Sequence, residues 1–245
     1  MSKGTVLITG AAGAMGSACI ERLSRDGFDI AAFDINGEGL VVAIQKAEST
    51  AQKWVVDQTD ESAVRSATEE VEREMGPIEA FVNTTGWCVA TRFYEEDSMY
   101  WKKVVAINYL GALYVTHAIL PGMMERNRGK IVYITSDAAK VGTGGEAVYA
   151  GAKAAECAFA KSLAREMARY NINVNCTAPG PTDTPLMREV QEQNPMIIER
   201  TLKQVPFRRL GLPEEQASVV SFLVSEDARW ITGQIISVSG GLTMC

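Results

Sequence analysis

The sequence predicts an α/β fold, a doubly wound parallel sheet of seven strands with helices on both faces, formed by a single domain over residues 1–245. Three observations lead there. Short apolar runs alternate with helical periodicity along the chain, with no internal repeat or low-complexity tract. The first apolar run opens into a glycine-rich turn and a helix, in KGTVLITGAAGAMGSACIERL. The second ends in an acid, Asp34.

In chain order, strands are expected at 4–9, 29–34, 52–56, 78–83, 130–135, 172–178 and 234–238, each a short apolar run. Between them, apolar-periodic stretches predict helices at 14–26, 60–75, 98–126, 147–170 and 213–224. Such sheets bind ligands beyond the carboxyl ends of their strands. Those ends carry Asp57 with Gln58, then Asn83 and Gly86, then Ser136, then the turn Ala178-Pro179-Gly180.

Gly10, Gly13 and Gly16, with Met15 among them, suit a backbone that turns tightly against a pyrophosphate at a helix N-terminus. Asp34 stands where a Rossmann unit holds the adenosine ribose hydroxyls. A 2′-phosphate would meet its charge, and neither the turn nor Ile35 and Asn36 offers a cation to receive one. NAD is therefore expected over NADP.

The segment ITSDAAKVGTGGEAVYAGAK supplies the chemistry. With a helix starting near Ala147, Tyr149 and Lys153 lie one turn apart on one face. A free phenol has a pKa of about 10, and an adjacent ammonium would favour its ionised form. Ser136, at a strand end, would hydrogen-bond the reacting oxygen while Tyr149 moves the proton. Alone, a Tyr-x-x-x-Lys pair arises by chance about 0.3 times in such a chain; the glycine turn and Asp34 give it weight.

A net charge of −6 and a pI near 5.0 argue against nucleic acid or an anionic membrane as partner. No apolar run is expected to span a membrane, and the first strand starts too early for a leader, so a cytoplasmic protein is expected. Five scattered cysteines and one histidine, His117, predict neither a disulfide framework nor a metal site. His117 lies in an apolar helical stretch and is expected to be packed.

These residues resemble the short-chain dehydrogenase/reductase family along essentially the whole chain. The resemblance implies a tetrad of Asn108, Ser136, Tyr149 and Lys153. Tyr149 would be the acid/base, Ser136 the holder of the substrate oxygen, Lys153 a modifier of the phenol and binder of the nicotinamide ribose, and Asn108 the support of a proton relay. It further implies an adenine contact at Asp57, a cofactor segment at Asn83 and Gly86, and a nicotinamide cradle at Pro179, Gly180, Thr182 and Thr184. Two departures stand out. The middle glycine of TGAAGAMG sits one place earlier than the family's, and the family's N-N-A-G reads Asn83-Thr84-Thr85-Gly86.

Within the family, Gly86-Trp87, SDAAKVGTGGEAVYAGAK, APGPTDTPL and ISVSGGLTM resemble NAD-dependent dehydrogenases of cyclic 2-hydroxyacyl-CoA thioesters. On that resemblance Trp87, Val141, Met187 and Phe93 would line a ring pocket, with Glu146 nearby, while Lys140, Arg188 and Arg92 would meet CoA phosphates. The alternatives are a 3-oxoacyl thioester reductase, a dehydrogenase of a free cyclic or aryl alcohol, and a non-catalytic dinucleotide sensor. Family analogy also predicts a homotetramer, with a dimer second.

Overall fold

The structure is a computed structural model and describes residues 2–193 and 195–245. Its seven strands are β1 (Thr5–Thr9), β2 (Asp29–Asp34), β3 (Ala51–Val55), β4 (Ile78–Asn83), β5 (Gly129–Ile134), β6 (Ile172–Pro179) and β7 (Ile235–Val238). All pair in parallel, in the order β3-β2-β1-β4-β5-β6-β7. The order reverses between β1 and β4, so the loops leaving these strands part and open a crevice.

The helices are α1 (Ala14–Arg25), α2 (Gly37–Ile44), α3 (Glu61–Met75), α4 (Ser98–Val105), α5 (Gly111–Arg126), α6 (Ala138–Val141), α7 (Ala147–Met167), α8 (Pro185–Gln193), α9 (Pro195–Gln204) and α10 (Pro213–Val224). Alternate strand residues face opposite ways. Leu7, Phe33, Phe81 and Tyr133 pack with Val64 of α3, Val115 of α5 and Leu163 of α7. Val6, Ile8, Ile30 and Val132 pack on the other face with Ile20 of α1, Leu40 of α2 and Val220 of α10. Both faces are thus covered, which explains why the central strands read as continuous apolar runs.

Every expected strand and helix is found, within a few residues at the ends. The helix expected at 98–126 is continuous but contains one π turn at 106–110. Four helices were not expected. Helix α2 is hidden by two glycines and α6 is a single turn, while α8 and α9 lie in a stretch that each enters through proline.

Two expectations are corrected. From Val104 to Met124 no Asp, Glu, Lys or Arg interrupts the chain, and Ser98–Arg126 is long and apolar enough, by length and composition, to cross a membrane. Here it buries Val104, Ala112, Val115, Ile119 and Met123 and packs along the sheet, which accounts for its apolar character. His117 is exposed, not packed, because it falls on the outer side of α5.

Candidate active site

Strand β1 ends at the glycine turn. Gly10 takes a left-handed φ of +67° beside Thr85, and a Cβ on Gly16 would lie 2.3 Å from the Gly10 carbonyl oxygen. Only glycine permits this packing. Helix α1 starts after Gly13 with no side chain capping its first amides, whereas Asn36, Asp60 and Asp97 cap α2, α3 and α4. Met15 sits in the first turn, partly buried against the core. Uncapped amides, the positive end of the helix dipole and a backbone free to approach fit a pyrophosphate. The earlier middle glycine therefore becomes the helix N-cap.

At the end of β2 the Asp34 carboxylate accepts hydrogen bonds from Ala12 N–H (3.0 Å) and Asn36 N–H (2.9 Å). It borders a cavity of about 330 Å³ whose wall includes Ile35, Asp57, Gln58, Thr85 and Lys103. Asp57 accepts from the Thr59 amide and hydroxyl. Gln58 is buried and bridges the Ile107 carbonyl and the Thr85 hydroxyl. Lys103 went unnoticed in the sequence; its ammonium lies 4.0 Å over the Trp87 ring.

Asn83 departs from its expected place at the cofactor. It is fully buried, with Oδ1 accepting from the Thr9 hydroxyl at 2.7 Å and Nδ2 donating to Glu156 Oε1 at 2.6 Å. Gly86 fits between neighbours, since a Cβ there would lie 3.5 Å from Asn108 Oδ1 and 3.8 Å from Lys153 Cε. Asn108, at the π turn, accepts from Trp87 N–H and donates to the Trp87 and Val104 carbonyls. A π turn shifts the helical bonding pattern and commonly marks a functional position.

Ser136 follows the end of β5, and Tyr149 and Lys153 stand one turn apart on α7. The Ser136 hydroxyl accepts from Ala138 N–H at 3.1 Å and lies near enough to the Tyr149 phenol to favour its ionised form. Burial raises the Tyr149 phenol well above its usual range, the nearby Cys88 and Glu146 raise it further, and the Ser136 hydroxyl opposes them. This corrects the expectation of a phenol held low by Lys153. The ammonium is 1% exposed and donates to Glu156 Oε2 (3.0 Å), the Thr85 carbonyl (3.0 Å) and the Ile134 carbonyl (3.1 Å). Its charge is therefore paired.

At the carboxyl end of β6, Thr182 donates to the Gly180 carbonyl and Thr184 accepts from Met187 N–H, building a turn beyond Pro179. Trp87 rests between Lys103 and Tyr100, its ring centroid 5.7 Å from that of Tyr100. Glu146 is half-buried beside Tyr149, and burial raises its carboxyl. Met187 is half-buried. Val141 is 64% exposed, and Phe93 stacks on Trp101. Beside Ser136, Asp137 is buried with neither carboxylate oxygen hydrogen-bonded among the described residues.

The cations expected at the mouth are placed differently. Lys140 donates to the Ile235 and Cys245 carbonyls and to the Ser237 hydroxyl, tying α6 to β7 and the C-terminal end. It has no free donor for a phosphate. Arg188 pairs bidentately with Asp183 (2.7 and 3.1 Å), and Arg92 is exposed.

Fold and site together define a dinucleotide-dependent oxidoreductase acting on hydroxyl or keto groups. A family model described as enoyl-(acyl carrier protein) reductase matches residues 10–243, and the chain belongs to the short-chain dehydrogenase/reductase family. It is 34% identical over 244 residues to the 3-oxoacyl-[acyl-carrier-protein] reductase of Thermotoga maritima, covering 97% of each chain. It is 35% identical over 236 residues to an acetoacetyl-CoA reductase of Rhizobium meliloti, covering 96% of each. The structure of an NAD+-bound xylitol dehydrogenase superposes with a TM-score of 0.93 at 31% identity, covering 98% of this chain and 99% of that one.

Proposed function

We propose that this protein interconverts a secondary alcohol and a ketone on an acyl thioester, using NAD(H), with a cyclic 2-hydroxyacyl-CoA such as 2-hydroxycyclohexanecarboxyl-CoA as substrate. The observation that supports the cofactor choice is Asp34, whose carboxylate borders the cavity beyond β1 and β2 where the adenosine ribose would lie. Anion would face anion if a 2′-phosphate entered there. Two relatives bear names that specify thioester substrates, which supports that class.

Gly10, Gly13 and Gly16 would hold the pyrophosphate, Asp34 the adenosine ribose, and the turn at Pro179–Thr184 the nicotinamide end. When bound, the dinucleotide supplies the hydride acceptor or donor. Ser136 would orient the substrate oxygen, and Tyr149 Oη would take its proton in oxidation and return it in reduction. Asn108 would hold the Trp87 segment, and Trp87 itself would present an apolar wall to the acyl group. We place this activity in the cytoplasm, with four copies of the chain associating.

A second reading, reduction of a 3-oxoacyl thioester, draws on the same two relatives. Initial rates at 340 nm separate the two. The proposal expects NADH formation with 2-hydroxycyclohexanecarboxyl-CoA and little with the free acid or with NADP. Fast oxidation of NADPH by acetoacetyl-CoA, with no turnover of the cyclic thioester, would instead establish the second.

A further inference from the structure

Glu156 lies one turn beyond Lys153 on α7 and is fully buried. A carboxylate is seldom placed there without partners. Both its oxygens are engaged: Oε2 accepts from Lys153 at 3.0 Å and Oε1 from Asn83 at 2.6 Å. Asn83 in turn accepts from Thr9 on β1. Three segments, β1, β4 and α7, are thereby joined by one buried polar chain that ends on the lysine beside the catalytic phenol.

We propose that Glu156 is a positioning residue of this site: it fixes the Lys153 ammonium through this chain and cancels its charge as felt by Tyr149. An ion pair, not a lone cation, then faces the reacting proton. The geometry supports both halves. Two backbone carbonyls and Glu156 take the three ammonium donors, which fixes the direction of the side chain. A paired charge 3.0 Å from its counter-ion acts on a third group as a dipole, and its field falls faster with distance.

Other titratable groups face the same space. Around Glu156 stand Lys153, Tyr149 and Cys157 on α7, Tyr133 on β5 and Cys176 on β6. Around Tyr149 stand Cys88, Glu146 and Glu156, with the Ser136 hydroxyl opposing them. Burial raises the Glu156 carboxyl, while Lys153 and Asn83 pull it back.

The inference deepens the alcohol–ketone reading but is tested without substrate, so the two stand or fall separately. In protein carrying 13Cζ-labelled tyrosine, the Tyr149 signal is identified by its loss in Tyr149→Phe. Glu156→Gln retains an amide that can bond Lys153 while removing the negative charge, and Asn83 can turn its own amide to match. Over an alkaline titration the Tyr149 midpoint should fall by about one pH unit in Glu156→Gln, so that at equal pH its phenolate-to-phenol ratio is about tenfold higher. An unchanged ratio in a folded variant overturns the proposal. Should that variant not fold, 13Cδ-labelled glutamate in the wild-type protein decides: a Glu156 carboxylate ionised at pH 8 is expected, and a protonated one overturns the proposal. In turnover, Glu156→Gln should move the acid limb of NADH formation to lower pH. If the wild type oxidises no alcohol, the functional reading fails while the titration still stands.

Discussion

Burial beside Cys88 and Glu146 makes Tyr149 a reluctant acid, and the sign of the consequence is fixed. In the proposed reaction oxidation needs the phenolate, so kcat for the alcohol should climb with pH through the alkaline range. Ketone reduction needs the phenol and should fall there; a stopped-flow pH series in both directions checks this. Tyr149→Phe should lose about 10²–10⁴ in kcat while NADH fluorescence still reports an unchanged Kd. Glu156→Leu should cost about 3–5 kcal/mol in urea unfolding, because Lys153 and the Asn83 amide are left buried without a partner. Ser136, Tyr149 and Lys153 were legible as spacing on one strand end and one helix face. Glu156 was not, since its meaning depends on Asn83, 73 positions away in the chain.

The glycine turn and the capped helices show how short segments carry separate duties. In Gly16→Ala the new Cβ would meet the Gly10 carbonyl oxygen; calorimetry should show at least about tenfold weaker NADH binding, as the turn opens by the space of a methyl group. In Asp60→Ala the amides of Ser62 and Ala63 lose their acceptor. That should cost about 1 kcal/mol in urea unfolding and leave NADH affinity unchanged. Helices α3 and α7 were legible from periodicity and length. Helix α2, with Gly37 and Gly39 in its first turn, was not, because intrinsic propensity argues against it and only packing of Leu40 and Ala43 on the sheet sustains it. The π turn at Asn108 is likewise invisible in sequence, since it follows from side-chain bonds to the Trp87 segment.

Across the whole molecule, several buried or half-buried acids are held neutral. Burial lifts the Cys19 thiol to about 12 and the Cys88 thiol to about 11, and raises the Tyr133 and Tyr149 phenols. Each binds its proton more tightly folded than unfolded. Their stabilising contribution is therefore complete below the unfolded values, 9.0 for thiols and 10.0 for phenols, and is lost as pH rises through the folded ones. The unfolding midpoint in urea should hold steady near pH 8 and fall progressively above pH 9, at up to about 1.4 kcal/mol per pH unit for each such group. Trp230 (97%), Met244 and Phe222 are exposed. Sedimentation should give the proposed tetramer, and a monomer at micromolar concentration would refute it.

The sequence by itself determined the alternation of strands and helices, the glycine turn, the acid at the end of β2 and the Ser136, Tyr149, Lys153 set, because each is a local pattern read over fewer than about twenty residues. Only the tertiary structure decided which charges are spent. It pairs Lys153 with Glu156, ties Lys140 to the C-terminal end and turns Asn83 inward. Those assignments arise when distant segments share one low-dielectric space, where a charge must find whichever partner the fold brings near.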